Sequence, residues 1–183
     1  MKKFSLLFLA VFLFQAAKAQ VADYPKNEIK FNIANVMIIA SAEIGYERFV
    51  AENQSIEFIA LINDRINYHS EKGSRKFKTN SFKLGYNYYF GSETAGSGIY
   101  ANPFIKLRTG DFEERKNIEG TATKITTNMD AFIIGFGVGY KWNYGDKFVF
   151  GPYANIARNF SDNTKDRFTA FEFNTGISIG YRF

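Results

Sequence analysis

Residues 131–142 read Ala-Phe-Ile-Ile-Gly-Phe-Gly-Val-Gly-Tyr-Lys-Trp; every even position is large and apolar, and the odd positions, Ile133 apart, are small or charged. Successive side chains of a β-strand point to opposite faces, so a period of two builds one bulky apolar face and one small or ionic face. The pattern recurs at 171–183, where Phe171, Phe173, Thr175, Ile177, Ile179, Tyr181 and Phe183 alternate with Glu172, Asn174, Gly176, Ser178, Gly180 and Arg182. It recurs again at 82–90, where Phe82, Leu84, Tyr86, Tyr88 and Phe90 interleave Lys83, Gly85, Asn87 and Tyr89. These segments are long strands.

Turn signals divide the chain into eight strands, near 28–40, 42–51, 54–64, 76–91, 98–110, 123–143, 147–159 and 168–183. The connections Ala51–Gln54, Gly91–Gly98 and Asn143–Lys147 are short or glycine-rich. Those at Asn63–Arg75, Gly110–Ala122 and Asn159–Arg167 are longer and charged, and only the first, near Ala40–Ala42, breaks the alternation by being brief. Long and short connections alternate in an up-and-down barrel whose tight turns share one end. An eight-stranded lumen is just wide enough for side chains to fill. Six large residues per strand would overfill it, whereas glycine, serine, asparagine and a few charges fit, so the bulky face points outward. An apolar belt of that size far exceeds what a water-soluble monomer exposes. A transmembrane strand needs about 9–11 residues, which 132–142 and 173–183 supply. The expected fold is therefore all-β: an eight-stranded antiparallel up-and-down transmembrane β-barrel. Phe82, Leu84, Phe132, Ile134, Phe136, Val138, Ile177 and Ile179 are expected to face lipid. Tyr88, Phe90, Trp142, Tyr144, Tyr181 and Phe183 fall at the short-turn end, where an interfacial aromatic girdle belongs.

Upstream, Lys2 and Lys3 precede the apolar stretch Phe4–Phe14, and Ala17-x-Ala19 supplies a small-residue cleavage signature. This reads as a secretory signal peptide. The other reading is a membrane anchor, but 11 apolar residues span about half of a hydrocarbon core roughly 30 Å thick. The expected organisation is a signal peptide over 1–19 and a barrel domain over 20–183. Removing the leader takes away Lys2, Lys3 and Lys18 and no acid, lowering the formal charge of +5 by three, so basicity gives no support to nucleic-acid binding. With no cysteine, a disulfide scaffold, a Cys-ligated zinc, a thiol nucleophile and lipoprotein attachment are excluded; a single histidine, His69, leaves no pair for a His-based metal site.

The terminal Tyr181-Arg182-Phe183 is similar to the C-terminal signature of Gram-negative outer-membrane barrels. The segment from Asn27-Glu-Ile-Lys-Phe-Asn-Ile through Ser41-Ala-Glu-Ile-Gly-Tyr-Glu-Arg-Phe49 resembles the opening hairpin of a Bacteroidetes family of small outer-membrane barrels, with the architecture of OmpA, OmpX and OmpW. The resemblance implies residence in the outer membrane, contact with its lipids including lipopolysaccharide, and recognition of Phe183 by the barrel-assembly machinery. It supplies no catalytic residues. One departure is Asn35, a polar residue on the outward parity of the first strand, which marks a bulge or a register slip.

On the inward parity stand Lys30, Glu43, Glu47, Glu57, Lys83, Lys106, Arg108, Lys141, Glu172 and Arg182, six cations and four anions. Buried charges are costly unless paired, so these should form ion-pair networks with inward Asn87, Tyr89 and Tyr100. Such a lumen is either a polar plug that fixes the barrel's shape or a narrow ion-selective conduit; the plug is the preferred reading because eight strands leave little free channel. Glu43 and Glu47 lie four residues apart on a strand, about 13 Å, too far to act as a glycosidase pair. His69-Ser70, with Asp64 or Glu71 as an orienting carboxylate, is the one constellation that fits a lipid A-modifying enzyme, but a lone histidine in a basic loop is more often solvated. No enzyme activity, cofactor, metal or nucleic-acid partner is expected, and a surface ligand at the charged loops is left open.

Overall fold

The computed structural model describes residues 24–33, 41–65, 76–91, 94–118 and 121–183. The expected leader, Asn35, and the His69-Ser70 pair lie outside them. Nine strands appear: β1 (Asn27–Asn32), β2 (Ala42–Ala51), β3 (Gln54–Ile62), β4 (Lys76–Phe90), β5 (Gly98–Ile118), β6 (Thr121–Asn128), β7 (Ala131–Tyr144), β8 (Phe148–Asn159) and β9 (Phe171–Arg182), with a short helix α1 (Asp162–Arg167) before the last. All pairings are antiparallel, and β1 through β5, then β7, β8 and β9, run round the wall in chain order. β9 pairs back onto β1, with Glu28 opposite Arg182 and Phe31 opposite Ile179. At the seam Asn27 N–H donates to the Phe183 carbonyl at 3.1 Å and Phe183 N–H to the Asn27 carbonyl at 2.9 Å. The barrel is closed and eight-stranded.

The ninth strand arises because the sixth staves itself in two. β6 and β7 are separated at Met129–Asp130, and both pair with the single long strand β5, β6 along Asp111–Ile118 and β7 along Gly98–Arg108. Of the stretch 110–122, expected as a charged loop, residues 110–118 and 121–122 thus belong to paired strands of a β-hairpin that outgrows the barrel. The loop expected between 159 and 167 holds α1, and the first strand is described as far as Asn32. At the opposite end the three-residue connection 145–147 reverses the chain, with Lys147 N–H donating to the Tyr144 carbonyl at 3.3 Å and Gly145 (φ 59°) and Asp146 (φ 56°) both in the left-handed region, which Gly145 enters without a Cβ clash.

Side chains are distributed inside out. Among the described residues 32 large hydrophobics are exposed, whereas 23 polar or charged residues are buried. Along β7 the outward apolar residues run from Phe132 to Trp142; ten steps of about 3.3 Å, foreshortened by a tilt of about 40°, make a band roughly 25 Å tall. Paired residues on these tilted strands step down the wall by about 3 Å per strand from β7 through β5 to β4, so Phe132, Leu107 and Phe82 descend in turn, and the outward pair above Phe82 and Leu107, Asn80 with Thr109, is polar. The lower edge is aromatic, with Trp142 stacked on Phe150 at 4.8 Å, Tyr144 on Phe150 at 5.6 Å and Phe148 edge-on to Tyr181 at 5.4 Å.

Candidate functional site

The inward faces of the strands bring the lumen charges together in two tiers. In the lower tier, toward the short turns, anions and cations alternate in one chain. Arg182 Nε lies 3.0 Å from Glu28, Glu28 lies 2.9 Å from Lys141, and Lys141 lies 2.8 Å from Glu47. Glu47 is 2.6 Å from Lys30, Lys30 pairs with Glu57, and Glu57 is 2.9 Å from Lys83. Ser55 and Tyr89 hydroxyls each donate to Glu47 Oε1 at 2.5 Å, and Asn87 donates to Glu57 at 3.3 Å. These seven charged groups come from β1, β2, β3, β4, β7 and β9, which makes the tier a set of rivets across the wall.

The upper tier is a compact square. Arg108 donates from Nη2 to Asp64 at 2.8 Å and from Nη1 to Glu172 at 2.7 Å; Lys106 Nζ lies 3.1 Å from Asp64 and 3.0 Å from Glu172. Ser81 donates to Asp64 at 2.5 Å and Asn159 to Glu172 at 3.0 Å. Between the tiers Glu43 accepts from Tyr153 Oη at 2.8 Å and from Asn32 Nδ2 at 3.0 Å. The space beside Glu43, reaching Lys30, Asn102 and Ser178, amounts to a cavity of about 20 Å3, room for a single water.

All ten sequence-predicted lumen charges lie in this interior and are buried. Sequence reasoning missed two partners, Glu28 and Asp64, which are also buried. In the two tiers and beside Glu43, these twelve described residues are six cations and six anions, so the excess of two positive charges among the ten disappears. Glu28 was within reach, because it shares the parity of Lys30. Asp64 was not: Asn63 turns through a left-handed conformation (φ 59°), and this kink carries Asp64 to the inward side although its parity beyond β3 points out.

Large side chains also enter the lumen, where the wall opposite is glycine. A Cβ on Gly135 would lie 2.2 Å from Phe104 Cζ, and one on Gly139 would lie 2.5 Å from Tyr100 Cζ. Both mouths are stoppered. Above the upper tier Phe168, at the end of α1, packs on Phe77 and Phe112 at 5.6 and 5.1 Å, with Met129 buried beside them. Below the lower tier the β4–β5 turn folds under the barrel: Arg182 donates to the carbonyls of Ala95 and Gly96 at 2.7 and 2.5 Å, and its guanidinium lies 4.7 Å from the centre of the Phe49 ring. Among the described residues no group of three or more metal-ligating side chains converges. The eight residues expected to face lipid are all on the outer wall and exposed, from Leu84 at 40% to Phe82 at 66%.

No protein-family model matches this chain, and no curated protein matches it. Among solved structures it is similar to the N-terminal β-barrel domain of Pseudomonas aeruginosa OprF, at 13% identity over 87% of this chain and 98% of that one, with a TM-score of 0.47. It is similar to Ail, the attachment invasion locus protein of Yersinia pestis, at 10% identity over 87% and 99% of the two chains with a TM-score of 0.47. It is likewise similar to Neisserial surface protein A, at 11% identity over 86% and 94% with a TM-score of 0.45.

Proposed function

We propose that this chain is an integral outer-membrane β-barrel, non-enzymatic and closed to solutes, that anchors in the membrane and presents its upper hairpin and rim for surface interaction. The observation that carries the reading is the inversion of burial: 32 exposed large hydrophobics around a core of paired charges. Water penalises that arrangement and lipid favours it. Along the described seam, from Asn27–Phe183 to Asn32–Ser178, β1 and β9 pair without a gap, and a band about 25 Å tall with an aromatic lower rim fits an outer membrane. The two charge tiers and the stoppers at both mouths support a plug rather than a conduit. By the same reading the long connections lie outside the cell and the short turns with both ends of the barrel lie in the periplasm, where Phe183 serves as the assembly signal. Membership of the Bacteroidetes family rests on the opening hairpin and the terminal tripeptide.

The test is fractionation and reconstitution. The protein is expected to stay with outer membranes through carbonate washing, to migrate differently in detergent gels when unheated, and to give no reproducible unit steps in planar bilayers. Recovery from the soluble periplasm overturns the location; steady conductance steps that vanish on substitution of Lys83 or Arg108 overturn the plug in favour of a conduit.

A further inference from the structure

Among the described residues the outer wall carries two charged side chains inside the apolar band, one near each edge: Arg48 and Arg158. They are held differently. Arg48 Nη1 donates to Asn27 Oδ1 at 2.6 Å, and Tyr46 donates to the same oxygen at 2.7 Å. Arg158 makes no hydrogen bond or ion pair with any described residue, its one polar contact being its guanidinium 5.4 Å from the centre of the Phe160 ring. Its cross-strand partners are Ile134 on β7 and Phe171 on β9. Phe132 packs against Phe160 at 6.3 Å, so exposed phenyl rings collar the arginine on both sides and above.

Depth decides what can satisfy this cation. Gly137, midway along the β7 band, pairs with Asn155, which the strand tilt of about 40° lifts about 3 Å above mid-level, and Arg158 stands three residues higher on β8. Three steps of about 3.3 Å at a tilt of about 40°, added to that rise, place its Cα roughly 11 Å above the middle of the band and about 2 Å below its upper edge. An arginine stem spans that gap by snorkelling, which brings the guanidinium to the level of lipid headgroups while its methylenes stay among the phenyl rings. A planar guanidinium recognises phosphate through two parallel N–H···O bonds, and the rings offer an apolar seat for the acyl chain beneath that phosphate.

We propose that Arg158, with the collar of Phe132, Phe160 and Phe171, is a binding site for the phosphate of an acylated lipid in the leaflet at the long-loop end. The inference rests on the membrane reading above and adds the residue and the ligand chemistry. Its test uses the folded full barrel in phosphatidylcholine vesicles doped with either bisphosphorylated lipid A or the same lipid stripped of phosphate. After extraction into mild detergent, native mass spectrometry counts the lipid that stays bound. Phosphorylated lipid A is expected to remain on the wild type, Arg158→Gln to lower the retained fraction about tenfold, and Arg48→Gln to leave it unchanged. Excess inorganic phosphate is expected not to displace the lipid. Equal retention by Arg158→Gln, equal retention of the phosphate-free lipid, or displacement by inorganic phosphate each overturns the proposal, the last by assigning the site to a free anion. Vesicle flotation separates the two readings: a protein that floats but keeps no phosphorylated lipid refutes this site alone, and one that fails to float refutes the membrane reading with it.

Discussion

Replacing Arg108 with methionine tests whether the upper tier behaves as a buried ion square. The guanidinium, essentially inaccessible at 1% exposure, donates to Asp64 from Nε at 3.0 Å and Nη2 at 2.8 Å, and to Glu172 from Nη1 and Nη2 at 2.7 Å each. Its removal leaves two buried carboxylates sharing one cation, Lys106, at 3.1 and 3.0 Å. Four charge-assisted bonds vanish, but the desolvation of the arginine vanishes with them, so the net cost is set by the uncompensated carboxylate, about 3–5 kcal/mol. At a urea dependence of about 2 kcal/mol per molar, the unfolding midpoint from phospholipid vesicles should fall by roughly 2 M. A second variant makes the reasoning refutable. Arg108→Met combined with Glu172→Gln removes one charge of each sign and leaves Asp64 facing Lys106, so it should recover most of the loss despite carrying two changes. A midpoint for Arg108→Met within about 0.3 M of wild type, or a double variant whose losses simply add, would show that the four groups do not act as a unit.

Three further outcomes follow from the same geometry. Phe136→Lys places an ammonium near the middle of the apolar band and should cost about 2–4 kcal/mol in reversible folding, whereas Ser178→Asn adds a small amide beside the water-sized cavity at Glu43 and should cost less; equal losses would reverse the assigned faces. Gly135→Ala drives a methyl into the Phe104 ring and should destabilise by about 1–3 kcal/mol, with Phe104→Leu restoring part of it; a neutral effect in the same assay would mean the ring is free to move. Hydrogen bonds from Lys78 and then Lys124 hold the Glu113 carboxyl below its ordinary range and tie β4, β5 and β6 together. A depressed carboxylate stabilises above its unfolded pKa of about 4.3 and loses that contribution as pH falls through its lower folded value, so the amide protection factors of the upper hairpin, taken against intrinsic exchange at each pH, should fall below about pH 4 in wild type. Glu113→Gln should show the lowered protection at every pH.

Much of this architecture is legible in the chain because side-chain parity is a local property. Each strand declares two faces, and the contrast between Phe132, Ile134 and Phe136 on one side and Gly135, Gly137 and Gly139 on the other says which face can fit a narrow lumen. The β2 limits and the tight turn at Gly145-Asp146 are read the same way, from residues within a few positions of one another. The ten inward charges are likewise a matter of counting by twos. What parity does not contain is which strand sits opposite at which register. That Arg108 meets Asp64 and Glu172, 44 and 64 residues distant, follows from the pairing of β4 with β5 and the closure of the ring. Asp64 enters the lumen through one left-handed residue; Asn63 is a type that favours such a turn, but nothing local says that the turn would carry Asp64 inward. The hairpin that rises above the barrel likewise depends on β5 finding a partner beyond Arg108, in a stretch whose charge resembles that of a loop. Alternation thus settled the faces and the solvent each one needs, while the pairing of charges, the stoppers at both mouths and the unmatched cation among phenyl rings came only with closure, because a ring of hydrogen bonds fixes neighbours that no single strand can specify.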